Sequence, residues 1–430
     1  MTARPPVYVH PSQLQVGVYV CLDLGWMDHP FTMSQFRIKN DEQLAQLLRL
    51  GLDKVRVDPE RSTQAPRPRS AAEPATTPSA APTLTAVAEP SPALIAKRQR
   101  MERLKAQRAA LAQCEKRYLD ASRTINSISR NLIALPQESL AEAQALTQQL
   151  AQSLLRESEV VIHLMNDKVM GEDVYYHSLN VAMLAMITGR AMHLSESELQ
   201  QLGMGGIFHD LGKSRIPHKV LIKADKPNKA EADFLQMHVA YGLEIGGKVN
   251  LPPAVMLMIA QHHEHMDGSG YPKGLRADAI DRHSRLLAAV NTYDNLCNPV
   301  QAIHALTPHE ALSLMFAQQR QRWDGEVLST LIHTLGVYPP GTVVRLNNDS
   351  LGMVVSVNPD KPIRPQVLIY DAGTPREEAI ILDLAEDEEL SISKALRPAQ
   401  LPTTVYDYLS PRTRVTYFFD GKGARAGSGA

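Results

Sequence analysis

The chain has 430 residues, 44% hydrophobic and 21% charged, with a formal net charge of −1. That length supports two or three domains with at least one sizeable core, and near-neutrality excludes a global field that would steer the chain to nucleic acid or an anionic membrane. Cys21, Cys114 and Cys297 are too widely spaced for a CxxC pair and read as reduced thiols. No run of about 18 apolar residues offers a membrane span, and MTARPPVYVH lacks the apolar stretch of a signal peptide, so a soluble cytoplasmic protein is expected.

Residues 1–60 predict a small N-terminal α/β or α+β domain, with β-branched runs at Val16–Val20 and Lys54–Val57 and a helix at Asp41–Leu50. Residues 61–94 are rich in Pro, Ala, Ser and Thr and predict a flexible linker, because such a segment buries too little apolar surface to offset its ordering entropy. Residues 95–165 read as connecting helices. Their first stretch, Leu94–Ser122, carries Lys97, Arg98, Arg100, Arg103, Lys105 and Arg108. With no aromatic residue interleaved before Tyr118, these cations read as a solvated helix face rather than a nucleic-acid patch.

Residues 166–335 continue the helical pattern, with breaks at Pro217, Pro227, Pro252–Pro253 and Pro272. Residues 336–418 change character: TVVRL, MVVSV and QVLIY are β-rich runs separated by NND, PDKP and DAG turn signals, predicting a small antiparallel β domain. Residues 419–430 end in small side chains and are expected to be a disordered tail. The expected fold class is mainly α, with a small sheet-containing domain at each end.

The helical part holds polar residues in apolar surroundings. His177 lies in YYHSLNVAMLAMI, His209–Asp210 in GMGGIFHDLGK and His262–His263 in VMLMIAQHHEHMDG; His238 lies between them, and Asp267-Gly-Ser-Gly-Tyr-Pro272 follows. A single such histidine is more often a satisfied core side chain. Five of them on at least four helices, with an adjacent Asp, point instead to a site for borderline divalent ions such as iron, manganese or zinc. Two ions about 3.5–4 Å apart would activate water and neutralise a phosphate, as displacement at a phosphodiester requires. Neighbouring helical residues point about 100° apart, so His262 and His263 can share one site only near a helix end, which the DGSG turn signal makes plausible.

Between His209 and Lys229 stand Lys213, Arg215, Lys219, Lys223, Lys226 and Lys229 against Asp210 and Asp225. That local positive charge suits a phosphate ligand, with Lys213, one turn past Asp210, as the first candidate to touch it and Arg215 beside it.

The ordered series His177, HDLGK (209–213), His238 with Gly242, HHE (262–264) and DGSGYP (267–272) resembles the HD-GYP family over residues 170–330. The stretches DLGWMDHPF (23–31) and VRVDPERS (55–62) are similar to a domain of unknown function often fused ahead of it. The resemblance implies an all-helical HD-type phosphohydrolase core and two or three divalent metal ions, iron or manganese. It implies hydrolysis of cyclic di-GMP to a linear dinucleotide or GMP.

It further implies metal ligands at His177, His209, Asp210, His238, His262 and His263, and Lys213 on phosphate. Gly270, Tyr271 and Pro272 would shape the ligand pocket and contact a protein partner such as a diguanylate cyclase; a homodimer is a separate expectation. The family's VADVYDAL helix is here AVNTYDNL, which puts Asn291 at an expected Asp ligand and leaves Asp294 three residues on as the nearby substitute. An amide oxygen coordinates without charge, so Asn291 predicts a weaker metal or a changed stoichiometry. NPVQA (298–302) replaces the family's RPY, removing an Arg. Asp173 takes the place of the Glu that a trinuclear site would use, where it serves as a ligand or as a helix cap.

Two classes of function follow. The first is a metal-dependent cyclic di-GMP phosphodiesterase with His209, Asp210 and Lys213 as its catalytic residues; a neighbouring form of this reading changes the substrate to another cyclic dinucleotide. The second is a weakened or inactive relative acting as a cyclic di-GMP sensor or a protein-interaction adaptor.

Overall fold

The structure is a computed structural model. It describes residues 6–421 apart from 25–28, 30, 32–33, 69–91, 157–159, 165–172, 224–227, 358–360, 377–378, 388 and 412–414. The chain divides into two compact units, Met1–Gln107 with Tyr370–Ile380, and Arg108–Ile369 with Ile381–Ala430.

The first unit holds β1 (Val7–Val9), β2 (Tyr19–Cys21), β3 (Gln35–Arg37), α1 (Asp41–Leu48) and β4 (Val55–Val57). The strands form an antiparallel sheet in the order β1-β4-β2-β3. Val55 and Val57 are buried while Arg56 between them is not, the period-2 alternation of a strand with one covered face. Leu14, Val18, Val20, Ile38 and Leu47 join them in the core. Asn40 caps α1 by accepting from Gln43 N at 2.8 Å, and Asp41 and Glu42 occupy the helix's positive end.

Residues 61–67, the start of the expected linker, are hydrogen-bonded to this unit. Thr63 N donates to Gly17 O at 2.9 Å and Arg67 N to Gln13 O at 2.7 Å. The remainder of the expected linker, residues 69–91, lies outside the described residues, and Pro92 opens the next helix.

That helix is α2 (Pro92–Asn131), the long connecting helix expected from the sequence. In the second unit follow α3 (Pro136–Arg156), β5 (Val160–Leu164), α4 (Asp173–Ala191), α5 (Glu196–Phe208), α6 (His218–Leu221), α7 (Lys229–Gln236) and α8 (His238–Lys248). Then come α9 (Pro253–Gln261), α10 (Arg282–Cys297), α11 (Pro308–Ala317) and α12 (Gly325–Leu335). Pro136, Pro253 and Pro308 sit at first helical turns, where a missing N–H costs nothing. The centre of this bundle is α4. Its residues Leu179 and Val181–Ile187 are buried on every side, which explains why its sequence is apolar all round.

The C-terminal sheet contains β6 (Val343–Leu346), β7 (Leu351–Val357), β8 (Gln366–Ile369), β9 (Ile381–Asp383), β10 (Ile392–Leu396) and, after α13 (Thr403–Leu409), β11 (Tyr417–Gly421). β6, β7 and β8 are the three β-rich runs of the sequence, paired antiparallel. Two features differ from expectation. β5, within the region read as helical, joins this sheet between β7 and β11. β11 also continues to Gly421, into the residues expected to form the tail, of which 422–430 lie outside the described residues. Both differences have one cause: β5 is five residues long, and its partner stands some 250 residues later, so no local pattern reveals the pairing.

Candidate metal centre

The centre is assembled from helix ends. His209 is the last residue of the turn that closes α5, Asp210 follows it, and Leu211–Arg215 forms a 3-10 turn that carries Lys213. His238 opens α8, and His262 caps the C-terminal end of α9 with His263 just beyond. His177 projects from α4. The end of α9 lets the adjacent pair converge: the His262 and His263 rings lie 4.1 Å apart, centroid to centroid.

Three of these histidines share one local device. His209 Nδ1 lies 2.9 Å from Gly206 O, His238 Nδ1 2.7 Å from Leu235 O and His262 Nδ1 2.9 Å from Ile259 O. A carbonyl only accepts, so in each ring Nδ1 carries the proton and Nε2 presents its lone pair. The fourth, His177, has Nδ1 2.5 Å from Asp294 Oδ2, which aims its Nε2 at His209 Nε2, 3.2 Å away.

Asp210 stands in the middle. Its Oδ2 lies 3.3 Å from His209 Nε2, 3.5 Å from His177 Nε2 and 2.5 Å from Lys213 Nζ. Its Oδ1 faces His238 Nε2 at 3.5 Å and His262 Nε2 at 3.7 Å. Ligand atoms of Asp210, His238, His262 and His263 all fall within 4.8 Å of one another, and so do those of His177, His209 and Asp210. Asp210 belongs to both groups, one carboxylate oxygen facing each.

Burial sets the charges. It lowers the pKa of His209 and His262, takes His263 well below its ordinary value and pushes His238 down to about 4. Burial also works against the charged form of His177, but the carboxylates of Asp210 and Asp294 outweigh it and push this imidazole up to about 9. Burial alone would raise Asp210; the Lys213 ammonium beside it, with hydrogen bonds from the neighbouring histidines, holds its carboxyl well below the usual range.

The residues fit divalent cations. The neutral His238 and His262 bring two Nε2 lone pairs to 3.2 Å with no proton to share, since both Nδ1 atoms hold theirs against carbonyls. Asp210 Oδ1 is buried and has no hydrogen-bond partner. Imidazole nitrogens and a carboxylate around such a point form a donor set for iron, manganese or zinc.

The loop after α9 closes beside this cluster. The Tyr271 ring stacks on His263 at 4.4 Å and 19°, and Tyr271 N donates to His263 O at 3.1 Å. Gly270 makes that approach possible, because a Cβ there would come within 2.4 Å of His263 O. Pro272 continues the loop across a cis bond from Tyr271. Glu264, 2% exposed, holds the loop's far side by accepting from Lys273 N at 2.7 Å and Leu275 N at 2.8 Å.

Other expected residues are placed as follows. Arg215 forms a bidentate pair with Glu244, and Lys223 pairs with Glu231 at 2.7 Å, so both of these cations are matched within the protein. Lys213 keeps a third of its side chain exposed beside Asp210. Asn291 is buried, with its Oδ1 accepting from Asn295 Nδ2 at 2.8 Å. Asp294 is buried and bonded to His177, Asn180 and Asn298. Asp173 begins α4, but its side chain lies outside the described residues, as does Lys226.

Sequence reasoning did not assign roles to Glu264, Asn180 or Asn298. The last two stand three residues past His177 and four past Asp294, on the same helix faces as those residues, and that spacing was the available signal.

Three family models match the chain. An HD domain model matches residues 128–327, a domain of unknown function (DUF3391) matches 7–143, and a KOW domain associated with HD domain matches 343–403. A cyclic di-GMP phosphodiesterase of Pseudomonas aeruginosa is 26% identical over 86% of this chain and 85% of its own length. The cyclic di-GMP phosphodiesterase response regulator RpfG of Xanthomonas campestris is 33% identical over 35% of this chain and 40% of its own. A 3'3'-cGAMP-specific phosphodiesterase of Vibrio cholerae is 28% identical over 38% of this chain and 35% of its own. The chain thus spans most of the first relative and less than half of each of the other two. Among the described residues no helix is long and apolar enough to cross a membrane. The chain carries an HD domain, with DUF3391 ahead of it, and is similar to cyclic di-GMP phosphodiesterases.

Proposed function

We propose that this chain is a metal-dependent phosphodiesterase of the HD-GYP type that hydrolyses cyclic di-GMP to a linear dinucleotide or GMP. The observation that carries the reading is the shared Asp210, whose two oxygens face two groups of histidine donors. His238, His262 and His263 with Asp210 would hold one divalent ion, and His177 and His209 with Asp210 a second, iron or manganese in each. When bound, the ions supply Lewis acidity toward phosphate oxygens and lower the pKa of water.

The chain's own residues do the rest. The carbonyls of Gly206, Leu235 and Ile259 hold the protons of three imidazoles at Nδ1 and keep each Nε2 free to bind. Asp294 takes Nδ1 of His177 and turns its Nε2 toward His209 and Asp210, so that the Nε2 proton is the one a bound cation would displace. Lys213 neutralises Asp210 and, with its side chain partly exposed, brings positive charge to the pocket edge, where a phosphate gains most from it. Tyr271 covers His263 and closes one wall with an aromatic face on which a base can stack.

The substrate follows the Pseudomonas aeruginosa relative, which aligns along most of both chains. The Vibrio cholerae relative supplies the alternative, 3'3'-cGAMP. Metal analysis of protein purified anaerobically with iron or manganese, together with turnover of both cyclic dinucleotides, tests the reading. About two ions per chain with hydrolysis of cyclic di-GMP, both lost in His209→Ala/Asp210→Ala, is the expected result. Loaded protein that hydrolyses neither would overturn it.

A second reading rests on Asn291, buried and engaged with Asn295 where the family places an Asp. In it the chain binds cyclic di-GMP without turnover, as a sensor or adaptor. A large gain of activity in Asn291→Asp favours this reading, whereas full activity in the unmodified chain excludes it.

A further inference from the structure

Residues 415–417 meet the side chains that surround Asp294, the partner of His177. Asp294 Oδ2 takes Nδ1 of His177, and its Oδ1 accepts from Asn298 Nδ2 at 2.9 Å and from Asn180 Nδ2. The remaining bonds of both amides go to backbone at residues 415–417. Asn298 Oδ1 accepts from Val415 N at 2.7 Å, and its Nδ2 also donates to Val415 O at 2.7 Å. Asn180 Oδ1 accepts from Tyr417 N at 2.8 Å, and its Nδ2 donates to Val415 O at 3.2 Å.

This pattern dictates which way each amide points. A backbone N–H can be met only by the amide oxygen, so Val415 N and Tyr417 N fix Oδ1 of Asn298 and of Asn180 on the strand side. Each Nδ2 is then left facing Asp294. With the strand absent, each amide keeps only its bond to Asp294 and loses the backbone bonds that fix its side chain in place. The orientation of Asp294, and through it the proton position and aim of His177, therefore depends on the strand being seated. The strand is anchored in turn by its pairing with β5 and by the Tyr417 hydroxyl, which meets Tyr293 Oη at 2.8 Å and Pro340 O at 3.3 Å. Asn180, Asp294 and Tyr417 are each at most 1% exposed, so water does not compete for these bonds.

We propose that residues 415–417 are a positioning element for the His177 side of the metal centre, so that seating of the C-terminal strand and metal occupancy are thermodynamically coupled. The proposal rests on the metal-centre reading above. Coupling is reciprocal: a strand that favours the metal must be held more firmly when metal is bound. Release of β11 from β5 would lower the affinity for the ion at His177, His209 and Asp210.

The first test uses the unmodified chain. Amide hydrogen exchange at 415–417 is compared in chelated protein and in protein loaded with manganese, with bound metal measured on the same samples. Exchange slowed roughly tenfold by manganese is expected, a fold-change within the usual range of such couplings. In parallel, manganese affinity is measured for Asn298→Ala, Asp294→Asn and the double variant. Each single change should weaken binding about tenfold, and the double variant should be no weaker than Asp294→Asn alone, because Asn298 acts through Asp294. A merely structural Asn298 would lower the melting temperature and leave the affinity of the folded protein unchanged. Manganese bound with unchanged exchange at 415–417, or additive losses in the double variant, would overturn this proposal alone. A chain that takes up no manganese would overturn the metal-centre reading as well.

Discussion

The Nε2 atoms of His238 and His262 face each other at 3.2 Å, and each ring has already committed its Nδ1 proton to a backbone carbonyl. Two neutral acceptors in contact are repulsive until a cation stands between them. Metal binding should therefore stabilise the fold. Chelation is expected to lower the melting temperature by several degrees, with recovery on adding manganese. His262→Ala, which relieves the repulsion and removes a ligand, should lose about one ion per chain and show a smaller response to chelator. A melting temperature indifferent to chelation in the unmodified chain would contradict this.

The metal-free protein should also have a narrow pH optimum. His177, held at about 9 against an ordinary value of 6.5, contributes stability that is complete below 6.5 and disappears as pH rises through 9. His238, pushed down to about 4, does the reverse: the unfolded chain protonates first, so stability falls as pH drops from 6.5 toward 4. Each effect is on the order of 3 kcal/mol. Melting temperatures of chelated protein from pH 5 to 9 should peak near neutrality. A steady rise across that range would show that His177 is not held as a cation.

Gly212 packs its backbone against the start of α8, where a Cβ would lie 1.8 Å from His238 O and 2.5 Å from Gly242 N. Both obstacles are backbone and cannot swing aside. Gly212→Ala should cost about 3 kcal/mol and push the turn carrying Asp210 and Lys213 away from His238. Thermal melts and metal content are expected to fall together. Loss of stability with undiminished metal content would mean that the turn adapts without disturbing Asp210.

Glu264 is the acceptor for two backbone N–H groups on the far side of the Tyr271 loop. Glu264→Gln keeps the shape but turns one acceptor into a donor, leaving one buried N–H unmet at a cost of roughly 1–3 kcal/mol. Hydrogen exchange in residues 267–276 should quicken while α4 is unaffected. Unchanged exchange would show that the stacking of Tyr271 on His263 holds the loop by itself.

The sequence alone determined the character of this protein. A helical stretch with five histidines and an Asp in apolar surroundings is legible because burying such groups is costly unless something binds them. The run DGSG after His262 announced the helix end that allows His262 and His263 to converge, and the three β-rich runs announced β6, β7 and β8.

Only the tertiary structure decided how these parts act on one another. Nothing local marks Asp294 as the partner of His177, 117 residues away, because an Asp on a helix reads the same whether it binds metal or another side chain. Nor does any local signal place Val415 and Tyr417 on Asn298 and Asn180, or β5 beside β11. Those contacts join segments far apart in the chain. Their stability comes from exclusion of water and from matching of donors to acceptors in the packed core, which periodicity and motif spacing do not encode.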